Sequence, residues 1–336
     1  MRILLLNVDS RWNMAIRRMY AYFTQQGHEV EMQDLGLSGY PHKRTAKVDA
    51  SGFDRVYVSN IFEQNAYRVE VEGCLAVEYG GIGSRDPGKQ LPPEIETTPP
   101  YYAPGEKTTY GFITRGCIRK CWFCKVPKYE GSLKEYNPAE SIVRGVPGEV
   151  VKFLDNNILA YPHHMDVFRW LAEKGIRCEF NQGLDFRLVN DENLAALARL
   201  NYEGEYIFAF DDPKYQPLLD RKIKQIKRHI PKPWKLKFYI YYHPSMELGQ
   251  LFNRVEWCRS HECLPYVMRD HACWESDNKN FLIDYAAYCN QPSFFKNLTF
   301  PEFLKKRQEG KSIGQERREQ DLIIYERNEP HGCCKA

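Results

Sequence analysis

The chain has 336 residues, of which 43% are apolar and 14% aromatic, and 47 basic against 44 acidic residues leave a net charge of +3. This composition is enough to bury a large core in one or two globular domains. The balanced charge does not indicate nucleic acid as a partner. No run approaches the roughly 18 apolar residues of a membrane span, so we expect no membrane partner.

The chain begins with the apolar run Ile3-Leu4-Leu5-Leu6, which is too short for a signal-peptide core and soon meets Asp9. We therefore expect a cytoplasmic location. In that reducing compartment, the 11 cysteines are expected to be free thiols that can bind metal, and not disulfides.

Residues 1–86 have the pattern of a small Rossmann-like α/β domain. Apolar strands are predicted at residues 3–8 and 55–59, an alternating strand at residues 29–32, and a helix at residues 12–26. Strands that alternate with helices favour a parallel sheet.

A proline-rich linker is predicted at residues 87–104, where prolines are frequent and apolar positions are irregular. Over residues 105–290, strands and helices then alternate six times, which indicates a partial (β/α)6 TIM-like barrel. Residues 291–336 are predicted to be a C-terminal helical extension and a tail that contains Cys333 and Cys334. The predicted barrel strands are residues 109–114, 149–154, 177–181, 206–210, 235–241 and 264–268, and the predicted helices are residues 165–174, 191–200, 218–229 and 246–260.

Three cysteines with the spacing CxxxCxxC, namely Cys117, Cys121 and Cys124, follow the first predicted barrel strand directly. Three thiolates can hold three irons of a 4Fe-4S cube and leave the fourth iron open for a substrate or cosubstrate. The alternative is a zinc site. Zinc usually takes four ligands, however, and the sequence has no second CxxC pair.

This triplet, with the aromatic Phe123 just before its last cysteine, resembles the signature of the radical S-adenosylmethionine (SAM) superfamily. The resemblance implies that Cys117, Cys121 and Cys124 hold a 4Fe-4S cluster and that SAM chelates the open iron. It also implies that the backbone at Phe123 contacts adenine. One electron from a reductant such as flavodoxin or ferredoxin then cleaves SAM to methionine and a 5'-deoxyadenosyl radical. The prolines and the Gly80-Gly81 loop in front resemble the linker of a subclass with an N-terminal cobalamin-binding-like domain.

Polar residues follow the predicted barrel strands, and in parallel β/α folds the active site forms at the carboxyl ends of the strands. In relatives, the segment after the second strand contacts the SAM amino group, which implicates Asp155, Asn156 and Asn157 in place of the usual Gly-Gly-Glu. Polar residues after the third and fourth strands contact the ribose and carboxylate of SAM. The resemblance therefore also implicates Gln182, Asp185, Arg187 and Asp211.

Two further metal assignments stay open. Cobalamin is an unfavoured possibility, because the cobalt-ligating Asp-x-His-x-x-Gly motif is absent after the first strand and neither His28 nor His42 stands in that context. Cys263 and Cys273 lie near His261 and His271, but their spacing matches no tight ligand pair. The remaining internal cysteines, Cys178, Cys258 and Cys289, share strand or helix faces with apolar residues, which predicts that they are buried.

The hypothesis from the sequence is an enzyme that cleaves SAM reductively and abstracts hydrogen from an unidentified small-molecule or nucleotide-type substrate. One alternative is a cobalamin-dependent radical SAM methyltransferase. An alternative of another class is an iron–sulfur electron-transfer protein or a zinc-stabilised interaction protein. The cysteine motif belongs to the shared first step, so it does not identify the reaction outcome.

Overall fold

A computed structural model describes residues 1–10, 12–37, 45–87 and 89–328. It is a mixed α/β structure whose larger sheets are parallel. The first of its two compact units comprises Met1–Gly111, Arg119–Ser132 and Ser141–Glu149; the second comprises Phe112–Ile118, Leu133–Glu140 and the chain from Val150 onward. His42, Cys333 and Cys334 lie outside the described residues.

The first unit is built on a parallel sheet with the strand order β2-β1-β4-β6, and β3 pairs with β5. The predicted N-terminal strands and helix are all present. The strands are β1 (Arg2–Asn7), β2 (Glu29–Asp34), β3 (Ala46–Asp49), β4 (Arg55–Ser59), β5 (Val69–Glu72), β6 (Val77–Gly80) and β7 (Thr108–Gly111), and the helices are α1 (Met14–Gln25), α2 (Pro93–Glu96) and α3 (Val126–Tyr129).

The continuous apolar run of β1 is explained by its position inside this sheet. Successive side chains of a strand point to opposite faces. Leu4 and Leu6 lie in one buried cluster, while Ile3 and Leu5 lie in another with the apolar face of α1. A strand that is covered on both faces needs apolar residues at every position.

In the described part of the predicted linker, residues 87 and 89–104, the one helix is the single turn α2 (Pro93–Glu96), where the prolines predict an extended connector. Pro93 occupies its first position, where a proline is favoured because its fixed φ suits the helix and its missing N–H would have no partner there. Ile95 anchors the turn in the core under β1.

The second unit contains strands β8 (Thr114–Arg115) and β9 (Lys134–Glu135), which form a short antiparallel pair. Parallel strands follow in the pairing orders β10-β11-β12 and β13-β14-β15, with a single parallel bridge from Leu184 to Phe208. These strands are β10 (Val150–Phe153), β11 (Arg177–Phe180), β12 (Asn201–Tyr202), β13 (Tyr206–Ala209), β14 (Leu236–Tyr242) and β15 (Leu264–Arg269).

The helices of the second unit are α4 (His164–Glu173), α5 (Asp191–Ala198), α6 (Gln216–His229), α7 (Leu248–Ser260), α8 (Lys279–Cys289), α9 (Pro292–Asn297), α10 (Phe300–Glu309) and α11 (Gln315–Asn328). The first four are the helices that the sequence predicts, with ends that differ by at most two residues. Single 3-10 turns stand at Glu63–Asn65, Ala139–Ser141, Ile158–Ala160, Phe186–Leu188, Pro213–Tyr215 and His271–Trp274.

One predicted strand is interrupted. Residues 109–114 were expected to form a single strand, but β7 ends at Gly111 and β8 begins at Thr114. At this break, the backbone N–H groups of Ile113, before β8, and of Thr114, its first residue, donate to the carboxylate of Asp155. The side chain thus takes hydrogen bonds that a continuous strand would give to its neighbour.

Helices α7, α8, α10 and α11 pack around a core of aromatic rings. Phe252 of α7 stacks on Tyr285 of α8 with the ring centroids 4.7 Å apart, and Phe300 meets Tyr285 edge-on at 5.1 Å. Cys178, Cys258 and Cys289 are buried, as predicted. Within the described ranges, no helix is long and apolar enough to cross a membrane.

Candidate functional site

The three cysteines of the CxxxCxxC loop differ in exposure from the five cysteines that follow them in the described part of the chain. Cys117, Cys121 and Cys124 are partly exposed, whereas Cys178, Cys258, Cys263, Cys273 and Cys289 are buried. Gly116 enters the loop with a φ of 77°, a left-handed conformation that favours glycine. The loop closes with a hydrogen bond of 3.0 Å from the Cys124 N–H to the Cys121 carbonyl.

An iron–sulfur cluster fits this loop by donor chemistry, because thiolates on an accessible segment are the ligands it requires. The fit does not rest on a preformed geometry. Among the residues that the structure describes, no three His, Cys, Asp or Glu side chains are gathered as a metal-binding set. Cys74 is a further partly exposed thiol, distant in sequence from the loop.

Asp155 holds the segment that leads into the cysteine loop. It is 2% exposed, and its Oδ1 accepts hydrogen bonds from the Thr114 N–H (2.5 Å) and the Thr114 hydroxyl (2.7 Å). Its Oδ2 accepts from the Ile113 N–H at 3.3 Å. Burial raises the pKa of Asp155 to about 6, although these hydrogen bonds oppose the shift. Its hydrogen bonds therefore give Asp155 a positioning role.

Asn157 connects the cysteine loop with the residues that follow β11. Its side-chain N–H lies 4.0 Å from the Cys117 sulfur and 3.3 Å from a carboxylate oxygen of Asp185. The residue is 3% exposed, and its Oδ1 is buried without a hydrogen bond from the described residues. An N–H near a cysteine sulfur is the kind of contact that tunes iron–sulfur centres, and the Oδ1 remains available as an acceptor for a ligand.

Asp185 and Arg187 form a bidentate ion pair. The Arg187 Nε lies 2.6 Å from Asp185 Oδ1, and its Nη2 lies 2.9 Å from Oδ2. The guanidinium also packs over the Tyr215 ring at 4.9 Å. Burial lowers the pKa of Arg187, but the hydrogen bonds and charge of Asp185 outweigh it and raise the pKa overall. Asp185 thus fixes the orientation of a cation that still has further N–H donors for an anion.

Asp211 stands after β13, where its Oδ1 accepts from the Tyr241 N–H at 3.1 Å. Burial raises its pKa to about 6. Gln182 was also predicted to contact SAM, but its side chain is exposed, whereas the neighbouring Asn181 is buried.

The two remaining residues predicted to contact SAM, Asn156 and Phe123, are partly exposed. The Phe123 ring packs edge-on against the Trp122 ring, with the ring centroids 5.7 Å apart. The structure therefore brings together Cys117, Asn157, Asp185 and Arg187 as one chain of contacts, and it does not bring Gln182 into that chain.

Arg254 is a residue that sequence reasoning missed. It is fully buried in α7, and its Nη1 donates to the carbonyls of Phe210, Asp211 and Tyr241 at 2.9 to 3.1 Å. It thereby ties together the carboxyl ends of β13 and β14. In the sequence, Arg254 shares a face of the predicted helix with the apolar residues Leu251 and Cys258, and this placement could have indicated its burial.

A further group of polar residues joins the ends of β14 and β15. The Tyr241 hydroxyl donates to Asp270 Oδ2 at 2.7 Å, and His243 Nε2 lies 3.9 Å from Asp270 Oδ1. Burial and the carboxylate raise the pKa of Tyr241. The sequence showed these residues after the strands but not that they meet.

The open question of a second metal at Cys263 and Cys273 receives no support from their contacts. Cys263 donates to the His261 carbonyl at 3.2 Å, and Cys273 donates to the Tyr242 carbonyl at 3.5 Å. Burial raises the pKa of each thiol to about 12.

The carboxyl edge of the first sheet bears on the cobalamin possibility. Asn13 donates to Asn7 Oδ1 at 3.1 Å and to the Ser59 hydroxyl at 3.0 Å, so the polar groups there contact one another. His28 directly precedes β2, at the amino edge of that strand. It is therefore not at the sheet edge where ligands of open α/β folds bind.

A scan against protein-family models finds no match, and a search of curated proteins finds no similar sequence.

Proposed function

We propose that the chain is a radical SAM enzyme, with a 4Fe-4S cluster on Cys117, Cys121 and Cys124 and a partial (β/α)6 barrel over residues 105–290. The observation that carries the proposal is Asn157, which links a cysteine of the CxxxCxxC loop to the Asp185–Arg187 pair after the next strand. A structural zinc loop has no need of such a connection to buried polar groups at strand ends.

The arrangement of strands supports the barrel part of this proposal. In one sheet β10 pairs in parallel with β11, and in the other β13, β14 and β15 pair in parallel in chain order. The parallel bridge between Leu184 and Phe208 connects the segment after β11 with β13. In such a fold, residues after each strand share one end. Asp155, Asn157, Asp185 and Asp211 all occupy that kind of position.

When bound, the cluster and SAM would supply a 5'-deoxyadenosyl radical after uptake of one electron, and this radical would take a hydrogen atom from an unidentified substrate. The protein's own task is positioning and exclusion of water. Asp155 holds the entry to the cysteine loop, while Asn157 offers an N–H to the Cys117 sulfur and a free acceptor to a ligand. Arg187, fixed by Asp185, is suited to bind the carboxylate of SAM.

The test is anaerobic reconstitution with iron and sulfide, followed by reduction with dithionite in the presence of SAM. We expect about four irons per chain and formation of 5'-deoxyadenosine. Alanine variants of Cys117, Cys121 and Cys124 should each lose the bound iron and the formation of 5'-deoxyadenosine. Cys74→Ala is the matched control, since this thiol is also partly exposed. It should keep the iron content and the activity.

Other outcomes would identify the alternatives. Bound zinc with SAM left intact would contradict the proposal and favour an interaction module. A cluster that takes up electrons without cleaving SAM would favour an electron-transfer protein. Titration with cyanocobalamin would separate the cobalamin-dependent methyltransferase, because only that enzyme should bind it.

A further inference from the structure

One part of the cysteine loop and the turn after it contains basic residues but no acidic residue. Residues 119–129 of the first unit contain Arg119, Lys120, Lys125 and Lys128 and no acidic residue. We call this segment the basic loop. Since the whole chain has nearly equal numbers of basic and acidic residues, this concentration of one sign is local.

The basic loop also exposes a large aromatic ring. Trp122 is 68% exposed, and Lys120 and Lys128 are exposed on either side of it in sequence. Lys125 pairs with Glu63, so that one cation is balanced within the unit. Tryptophan is one of the residues that dominate protein–protein interfaces, and surrounding charges steer the partner to it.

We propose that the basic loop, centred on Lys120, Trp122 and Lys128, is the docking surface for a small acidic protein that carries one electron. The inference rests on the proposed function, because reductive cleavage of SAM consumes one electron per molecule. The carrier is oxidised by one electron in each encounter, and no bond changes in either protein. A carrier must bring its redox group near the cysteines. In sequence, Lys120 lies between Cys117 and Cys121, and Lys128 lies four residues after Cys124.

The small number of cations in the basic loop favours a protein carrier over a nucleic acid. Electron-transfer complexes are small and transient, and complementary charge speeds their formation. A basic patch with aromatic residues is also a feature of single-strand binding, but that mode needs a groove of cations that follows the backbone. Four cations in 11 residues of one loop suit the smaller partner.

The experiment measures binding of an oxidised, acidic flavodoxin to the full-length chain, by fluorescence or calorimetry, with and without the cluster. The test variant is Lys120→Glu/Lys128→Glu, and Lys128→Glu alone is a milder second variant outside the cysteine triplet. The control, Lys224→Glu/Lys232→Glu, makes the same charge change at exposed lysines of the second unit.

We expect the double variant to raise the Kd for flavodoxin about tenfold at low salt, given the worth of exposed ion pairs, and the difference to vanish near 1 M salt. With dithionite as the reductant, 5'-deoxyadenosine formation should change less than twofold. An unchanged Kd, an equal loss in the control, or tighter binding of a single-stranded oligonucleotide by the same loop would overturn the docking surface. Failure of dithionite to support SAM cleavage would instead refute the proposed function.

Discussion

Replacement of Thr114 by valine should loosen the entry to the cysteine loop. Thr114 is fully buried, and its hydroxyl donates to Asp155 Oδ1 at 2.7 Å. Valine keeps the shape of the side chain and removes this donor. A hydrogen bond to a charged group contributes about 2 kcal/mol, which corresponds to roughly a thirtyfold change in the local opening equilibrium.

The effect should depend on pH, because the hydroxyl stabilises the ionised form of Asp155. Burial raises the pKa of Asp155 to about 6, above its ordinary value. The contribution of this carboxyl group to stability is therefore complete below about pH 4, and it is lost as the pH rises through 6. The Thr114 hydroxyl offsets part of that loss, so Thr114→Val should be most harmful above pH 6.

Hydrogen exchange of the peptide that covers residues 109–117 measures this opening directly, since the Ile113 and Thr114 amides themselves donate to Asp155. At pH 7.5 we expect much faster exchange in Thr114→Val than in Thr114→Ser, which keeps the hydroxyl. At pH 5, the difference in exchange rate between the two variants should be smaller, once the rates are corrected for the pH dependence of intrinsic amide exchange. Equal protection in the two variants at pH 7.5, or a gap that is unchanged at pH 5, would refute the reasoning.

Three further substitutions test other parts of the structure. Arg187→Lys keeps the charge but loses the planar fork held by Asp185, so SAM binding in anaerobic equilibrium dialysis should weaken roughly tenfold; unchanged affinity would exclude Arg187 from the site. Burial and the neighbouring Asp284 raise the pKa of Asp321 to about 7, so its contribution to stability is present at low pH and lost as the pH rises through 7. Asp321→Asn should therefore flatten the decline of Tm between pH 5.5 and 8, and an unaltered profile would contradict this. Arg254→Met should cost about 3 kcal/mol by leaving three strand-end carbonyls without their donor, seen as faster hydrogen exchange of residues 206–211 and 239–242.

The fold could be predicted largely from the order and period of the apolar residues. The apolar run at the start of the chain predicts a strand, which is present as β1. Its residues Ile3 and Leu4 lie in two different buried clusters, one on each face. The alternation of strands and helices predicts parallel sheets, which are present. The interruption between Gly111 and Thr114 could not be predicted, because Asp155, which takes the backbone hydrogen bonds there, is about 40 residues away.

The cysteine motif is local in sequence, so the sequence by itself determined its residues and spacing, from which the iron–sulfur hypothesis follows. Which polar residues meet was decided only by the tertiary structure, because strand ends that are far apart in the chain converge in space. Asn157 contacts both Cys117 and Asp185, whereas Gln182, equally plausible from its position after a strand, is exposed. Arg254 lies in a helix, yet it binds the carbonyls of two strands. A single sequence records residue types and spacing, and side-chain direction at a strand end depends on packing between distant elements.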